Sequence, residues 1–177
     1  GGDLPSLLSE EVQNEVNRVI EKAALSMGIK NGIVKGDIVI HTGKPYIIEL
    51  AARLSGGYFC THQIPMNTGV DLLGNAIKLA IGEKVYPNDL IPTSNKYICQ
   101  RYIFPKSGRI KEINGLNDLD KNLSIKYFNF HVKPGEIIHK PTAHPARVGM
   151  LIAGGSSRND ARINATRAIK SVSIAYQ

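Results

Sequence analysis

Two runs rich in Ile and Val, residues 32–40 and 45–50, flank the turn residues Thr42, Gly43 and Lys44. This arrangement limits the fold more than any other stretch. Branched residues in short runs around a glycine turn predict an antiparallel hairpin. The register of that hairpin decides what its two acids can do. A two-residue loop at Thr42-Gly43 pairs residues whose numbers sum to 85, so that Asp37 faces Ile48 and Glu49 projects from the opposite side. A three-residue Thr42-Gly43-Lys44 loop makes the sum 86. It sets Asp37 against Glu49 on one face, with side-chain origins about 5 Å apart. Two carboxylates that close repel each other unless a cation lies between them. Magnesium, a hard ion commonly held by one or two carboxylates plus substrate phosphates, suits such a pair. The three-residue register is the one a shared metal requires, and it puts Val39 and Ile47 on the same face as dry walls. Spacing alone also allows both acids to be ordinary solvent-facing hairpin residues.

On either side of the hairpin the pattern turns helical. Val12, Val16, Val19, Ile20, Ala23, Ala24 and Met27 recur at helical spacing after Ser9, which reads as the N-cap, and Gly28 reads as the stop. Glu10 and Glu11 fall where the helix dipole favours acids. A second helix is expected to open after Thr68, to carry Val70, Leu73, Ala76, Ile77, Ala80 and Ile81 toward a core, and to end at Gly82. Pro87, Asn88, Pro92 and Ser94 mark residues 86–95 as a linker. This predicts a first domain over residues 1–93 and a second over 94–177. The second shows short β-like runs at 96–104, 109–113, 124–132 and 147–153, then a terminal helix over 158–174 with Ser157 and Asp160 at capping-box spacing. The expected class is α+β: an antiparallel sheet with helices, followed by a small β-rich domain with a terminal helix.

A chain of 177 residues with 42% hydrophobic content supports one good core or two small ones. The net charge of +7 favours anionic partners. Its basic residues are scattered without a Lys/Arg block or interleaved aromatics, which argues against nucleic acid and leaves nucleotide phosphate. No apolar run approaches the roughly 20 residues that span a bilayer, and the start lacks a signal-peptide layout. No membrane partner and a cytoplasmic location are expected. Cys60 and Cys99 lie outside any C-x-x-C pair and read as reduced and structural. His139 and His144, separated by Pro141, fit no zinc spacing. Gly154 to Ser157 lacks the lysine and spacing of a P-loop and reads as helix capping.

The string Gly43-Lys44-Pro45-Tyr46-Ile47-Ile48-Glu49-Leu50-Ala51-Ala52-Arg53-Leu54-Ser55-Gly56-Gly57 resembles the signature of the ATP-grasp superfamily. Residues 24–32 upstream, and Thr68-Gly69-Val70-Asp71-Leu72 and Ile81-Gly82-Glu83 downstream, are similar as well, so the likeness is continuous. The resemblance implies that the chain is the C-terminal subdomain of an ATP-grasp fold. It makes Glu49 and the acid twelve positions before it, Asp37, magnesium ligands. A third family ligand, Asn two residues after the Glu, is Ala51 here, which leaves that position to water or phosphate. Arg53 matches the family arginine beside the transferred phosphate, so a catalytic and ATP-binding role is implied. Val39 matches a position lining the nucleotide pocket, and Ser55, Gly56 and Gly57 match the region that binds the acceptor substrate. Stretches of the second part, among them Lys133-Pro134-Gly135-Glu136 and residues 154–161, resemble the C-terminal β domain of biotin carboxylase.

Within the superfamily the Glu-x-Ala-Ala-Arg form looks closest to amino-acid and dipeptide ligases. The Gln-Val-Glu-His run of biotin carboxylase is replaced by Ser55-Gly56-Gly57-Tyr58, and the Asn kept by carbamoyl phosphate synthase is missing. The implied activity is a carboxylate-amine ligase with ATP and Mg2+ as cofactors and small carboxylates and amines as substrates. The implied partners are a second copy in a homodimer and the N-terminal and lid domains of the same enzyme, without which the chain is expected to be inactive. Competing readings are a carbamoyl-phosphate-synthase-like or biotin-carboxylase-like member, or a non-catalytic binding or assembly module. One feature separates ligase from module: a working site needs Asp37 and Glu49 on one face.

Overall fold

Strand β1 (Asp3–Leu4) is the first element of the computed structural model, which describes all 177 residues. The chain divides into two units, one of residues 6–65 and 69–93, the other of residues 1–5, 66–68 and 94–177. The first unit begins with helix α1 (Glu10–Ser26), where the Ser9 hydroxyl accepts the N–H of Val12. Beyond it the chain turns at Gly28, with φ at 79°. Strands β2 (Lys35–His41) and β3 (Lys44–Ala51) then form an antiparallel hairpin.

The loop of that hairpin differs from the expected one. His41 pairs with Lys44, so only Thr42 and Gly43 form the turn, with φ of 49° and 76°. Two successive left-handed residues make the tight turn whose twist matches that of its strands, which is why the third residue joins β3 instead. The acids are nevertheless opposed. Ile38 pairs with Ile47 and Asp37 with Glu49, so Ile48 is an extra residue, a β-bulge that moves the register by one. The bulge also corrects the face assigned to Ile47, which sides with Ile38 rather than with Val39. On that other face α1 packs against β3. A Cβ on Gly36 would lie 2.6 Å from Ile20 Cδ1 of the helix, so the glycine gives Ile20 its seat.

After the hairpin, a π-helical turn at Phe59–Gln63 runs into the short helix α2 (Ile64–Thr68), and helix α3 (Leu72–Ala80) follows. The second long helix opens after Thr68 as expected but only at Leu72, which leaves Val70 outside it, because Thr68 itself ends α2 ahead of the left-handed Gly69. Asp71 caps α3 by accepting the Gly74 N–H at 2.8 Å. The expected inward face is also turned: Leu73, Ile77 and Ile81 are exposed while Asn75 is buried. Asn75 Nδ2 donates to the carbonyl of Asp89 at 3.2 Å.

The second unit contains β4 (Tyr97–Ile103), β5 (Gly108–Asn114), α4 (Leu116–Lys121), β6 (Ile125–Phe130), β7 (Ile137–Ile138), β8 (Gly149–Gly155), α5 (Arg158–Ser171) and β9 (Ser173–Tyr176). One antiparallel sheet runs β1-β4-β8-β6 and another β7-β5-β9. The first is roofed by α5. Ala161, Ala165 and Ala168 form a small-residue stripe that packs in one core with Cys99, Leu119, Leu151 and Ala153. At the start of α5 Ser157 accepts the Asp160 N–H, but Asp160 Oδ2 takes the N–H of Ser156 at 2.8 Å, one residue before the position a capping box uses. The helix stops at Ser171 rather than at 174, because residues 173–176 are taken up by pairing with β5.

Strand β1 brings Asp3 among three arginines, 2.7 Å from Arg101 Nη1, 3.4 Å from Arg162 Nε and 3.7 Å from Arg158 Nη2. Burial pushes its carboxyl up, yet hydrogen bonds from Arg101 and Cys99 and the charges of Arg101 and Arg158 hold it below the ordinary range. Its neighbour responds in the opposite sense. Burial, reinforced by the hydrogen bond to Asp3, raises the Cys99 thiol from 9.0 to about 12. The fold thus favours the neutral thiol, and this contribution is complete below pH 9 and lost as pH rises toward 12. Above pH 9 the wild type is expected to lose about 1.4 kcal/mol per pH unit more than Cys99→Ala. Urea unfolding of both proteins between pH 8 and 11 checks this; parallel curves refute it.

Candidate functional site

The side chains of β2 alternate, so Lys35, Asp37 and Val39 share the face opposite the one that α1 covers. Across from them on β3 stand Ala51, Glu49 and Tyr46. Asp37 and Glu49 are therefore on one side of the hairpin, each with about half its side chain open to solvent (55%). Their mutual repulsion is answered by two cations. The Lys35 ammonium hydrogen-bonds Asp37 Oδ2 and lies 3.8 Å from Glu49 Oε1. The Arg53 guanidinium is 3.7 Å from the same Glu49 oxygen, and its Nη1 donates to the Leu54 carbonyl at 3.2 Å.

This donor set suits magnesium of a particular kind of site. Two hard carboxylates converge on one point, the donor type magnesium takes, and the Lys35 ammonium now answers their charge there. No cluster of three or more His, Cys, Asp or Glu side chains forms anywhere in the chain. An ion at Asp37 and Glu49 would therefore need oxygens from water or from a ligand, which is how magnesium is usually held beside phosphates. Ala51, opposite Lys35, offers only a methyl group.

Beside the acids the face is apolar, with Val39 and Tyr46 half exposed across from one another and Ile48 of the bulge more so. Arg53 also lines a recess of about 380 Å³, with Asn31, Gly32, Ile33, Ala52 and Leu54 on one side and Ala76, Leu79 and Ala80 of α3 on the other. Asp37, Val39, Glu49 and Arg53 are thus gathered on or next to the hairpin. Ser55, Gly56 and Gly57 are not in the lining of the recess. They begin the turn into Phe59–Gln63, in which the Phe59 N–H donates to the Gly56 carbonyl at 3.4 Å and Gly57 and Tyr58 are both left-handed. Sequence reasoning passed over Lys35, although its position two residues before Asp37 in a strand already placed it on the same face. It also missed Asn31, Ile33 and Leu79, whose place depends on how α3 is turned.

Residues 101–177 match the family model described as L-amino acid ligase C-terminal domain 2. An uncharacterized protein, y4rH, of Sinorhizobium fredii (strain NBRC 101917 / NGR234) is 25% identical over 168 residues, which are 95% of this chain and 34% of that protein. Among solved structures, phosphoribosylglycinamide synthetase from Anaerococcus prevotii aligns with a TM-score of 0.85 at 22% identity, over 99% of this chain and 44% of its own. The L-amino acid ligase from Bacillus licheniformis aligns with a TM-score of 0.83 at 19% identity, over 99% of this chain and 43% of its own. At such identities the likeness is one of fold. The chain spans about a third of the curated relative and less than half of either solved chain.

Proposed function

We propose, on the premise that this chain has the fold of the C-terminal part of the ATP-grasp ligases, that it carries the magnesium-binding acids of an enzyme that spends ATP to join a carboxylate to an amine. The observation that supports this reading most is the opposition of Asp37 and Glu49 on the open face of the hairpin, with Arg53 beside them. Magnesium held there supplies neutralisation of phosphate charge. Asp37 and Glu49 fix the position of the triphosphate, and Val39 with Tyr46 gives its base an apolar wall. Arg53 grips oxygens of the transferred phosphoryl group by paired hydrogen bonds. A substrate carboxylate oxygen attacks the γ-phosphorus as the bond to the ADP oxygen breaks. The amine then attacks the acyl carbon of the acyl phosphate, loses a proton, and phosphate leaves.

An amino acid is the favoured carboxylate, a choice supported by the family model matched at residues 101–177. The recess beside Arg53 and the backbone at Ser55, Gly56 and Gly57 are assigned to the acceptor. The unit of residues 6–65 and 69–93 is assigned the catalytic role, and the unit of residues 1–5, 66–68 and 94–177 a supporting one. The N-terminal and lid domains needed to close on ATP belong to the remainder of the enzyme, an assignment supported by the 34–44% of each relative that this chain covers. No helix is long and apolar enough to cross a membrane, and the cytoplasm, which holds ATP and magnesium, is the proposed location.

The test is a phosphate-release screen of the full-length protein against pairs of amino acids and other carboxylates with amines. Release that requires both partners of a pair is expected. Release driven by bicarbonate alone would favour the biotin-carboxylase-like reading, and no release with any pair would sink both.

A further inference from the structure

Lys35 stands in an arrangement that the ligase reading does not use. Its side chain is the least exposed of the four charged groups gathered around the acid pair, at 22%. It pairs across the strands with Ala51, whose small side chain leaves room for the ammonium to reach both acids. Two negative charges, Asp37 and Glu49, face two positive ones, Lys35 and Arg53, so the face is locally neutral. A bare divalent ion entering there would have to expel the ammonium into water and, with Arg53 still beside the pair, leave the face with one excess positive charge. A divalent ion that arrives on a polyphosphate brings anionic oxygens, and these give the displaced ammonium and the guanidinium new partners.

We propose that Lys35 is a resident counter-ion that reserves the Asp37–Glu49 pair for a metal already bound to phosphate. It is a positioning residue: it holds the two carboxylates together before the nucleotide arrives, then moves from carboxylate to phosphate oxygen as the metal takes its place. This inference rests on the reading of Asp37 and Glu49 as metal ligands. It adds that their selectivity for metal-phosphate over metal comes from this lysine. A lysine serving only the stability of the hairpin would leave metal affinity untouched.

The test uses Mn2+ as a paramagnetic stand-in for magnesium, with binding to the full-length protein read by water-proton relaxation, alone and with tripolyphosphate. Wild type is expected to bind bare Mn2+ feebly and Mn2+-tripolyphosphate at least tenfold more tightly. Lys35→Met should raise affinity for bare Mn2+ about tenfold and erase the gain from tripolyphosphate, while Lys35→Arg, which keeps the charge, should behave as wild type. Circular dichroism of each variant establishes that the hairpin is intact, and Lys35→Gln provides a second neutral side chain if the Met variant unfolds. Equal bare-Mn2+ affinity in wild type and both neutral variants overturns the role of Lys35. If Asp37→Asn still weakens binding in that case, the metal site itself survives. If Asp37→Asn and Glu49→Gln change nothing in any background, the ligand assignment falls as well.

Discussion

In the full-length enzyme, Asp37→Asn and Glu49→Gln are each expected to cut amine-dependent phosphate release by a factor of about 10³ or more. Each substitution keeps the size of the side chain and removes its charge. The pair stands across the hairpin in direct register, so a metal held by both loses half of its protein ligands with either change. The catalytic electrostatics depend on that ion lying within ångströms of the transferred phosphoryl group, and misplacing it costs on the scale of a lost oxyanion donor. The double variant should be little worse than either single one, because the two acids act as one unit. Raising the magnesium concentration should restore part of the lost rate in the single variants but none in the double. Both acids are half exposed, so the folded population should change little, and thermal melts serve as the control. Wild-type rates in both single variants would remove the metal assignment.

The hairpin shows how much of such a site can be read from sequence. Two β runs around a glycine turn gave the hairpin, but spacing left two registers open, and the resemblance of residues 43–57 to the ATP-grasp signature favoured the one that opposes Asp37 and Glu49. The route was wrong. A bulge at Ile48 supplied the one-residue offset that a longer loop had been expected to supply, and periodicity carries no mark that separates an extra residue in a strand from one in a turn. The same bulge sent Ile47 to the face of α1. Helix α1 was legible because Ser9, the acidic first turn and the apolar spacing agree. Helix α3 was less so: Leu73, Ile77 and Ile81 stay exposed while Asn75 is buried and bonded to the Asp89 carbonyl, an arrangement that apolar periodicity does not foretell. Strands β1 and β9 were not anticipated: two and four residues are too short to show alternation, and their pairing partners lie far along the chain. Ser173 and Ile174 continue the spacing of α5 in the sequence and become strand where β5 offers them an edge. Lys35 was in view but read as a strand residue, since its role emerges only once the bulge brings Glu49 within its reach.

Gly155→Ala is expected to destabilise the protein by about 3 kcal/mol or more, the upper end for an added methyl in a packed interior. Gly155 ends β8 beneath the first turn of α5, and a Cβ there would lie 2.3 Å from the Ala161 backbone nitrogen and 2.8 Å from the Asp160 carbonyl carbon. What would have to yield is helix backbone, and that backbone is pinned. Ser157 caps it, Asp160 holds the Ser156 N–H, and Asn164 Nδ2 donates to the Gly154 carbonyl at 3.0 Å. Lifting the helix would break this anchoring and open the contact between its alanine stripe and the sheet below. Gly154→Ala is the matched control. Its added Cβ would meet Lys126 Cε at 2.9 Å, the far end of a flexible side chain that can swing aside, and a cost under about 1 kcal/mol is expected. Urea unfolding of the two variants separates them by midpoint, with the Gly155 variant also melting about 10 °C below wild type for a chain of this size. Similar midpoints for the two would mean that α5 is not held against β8 by the absence of a side chain at residue 155.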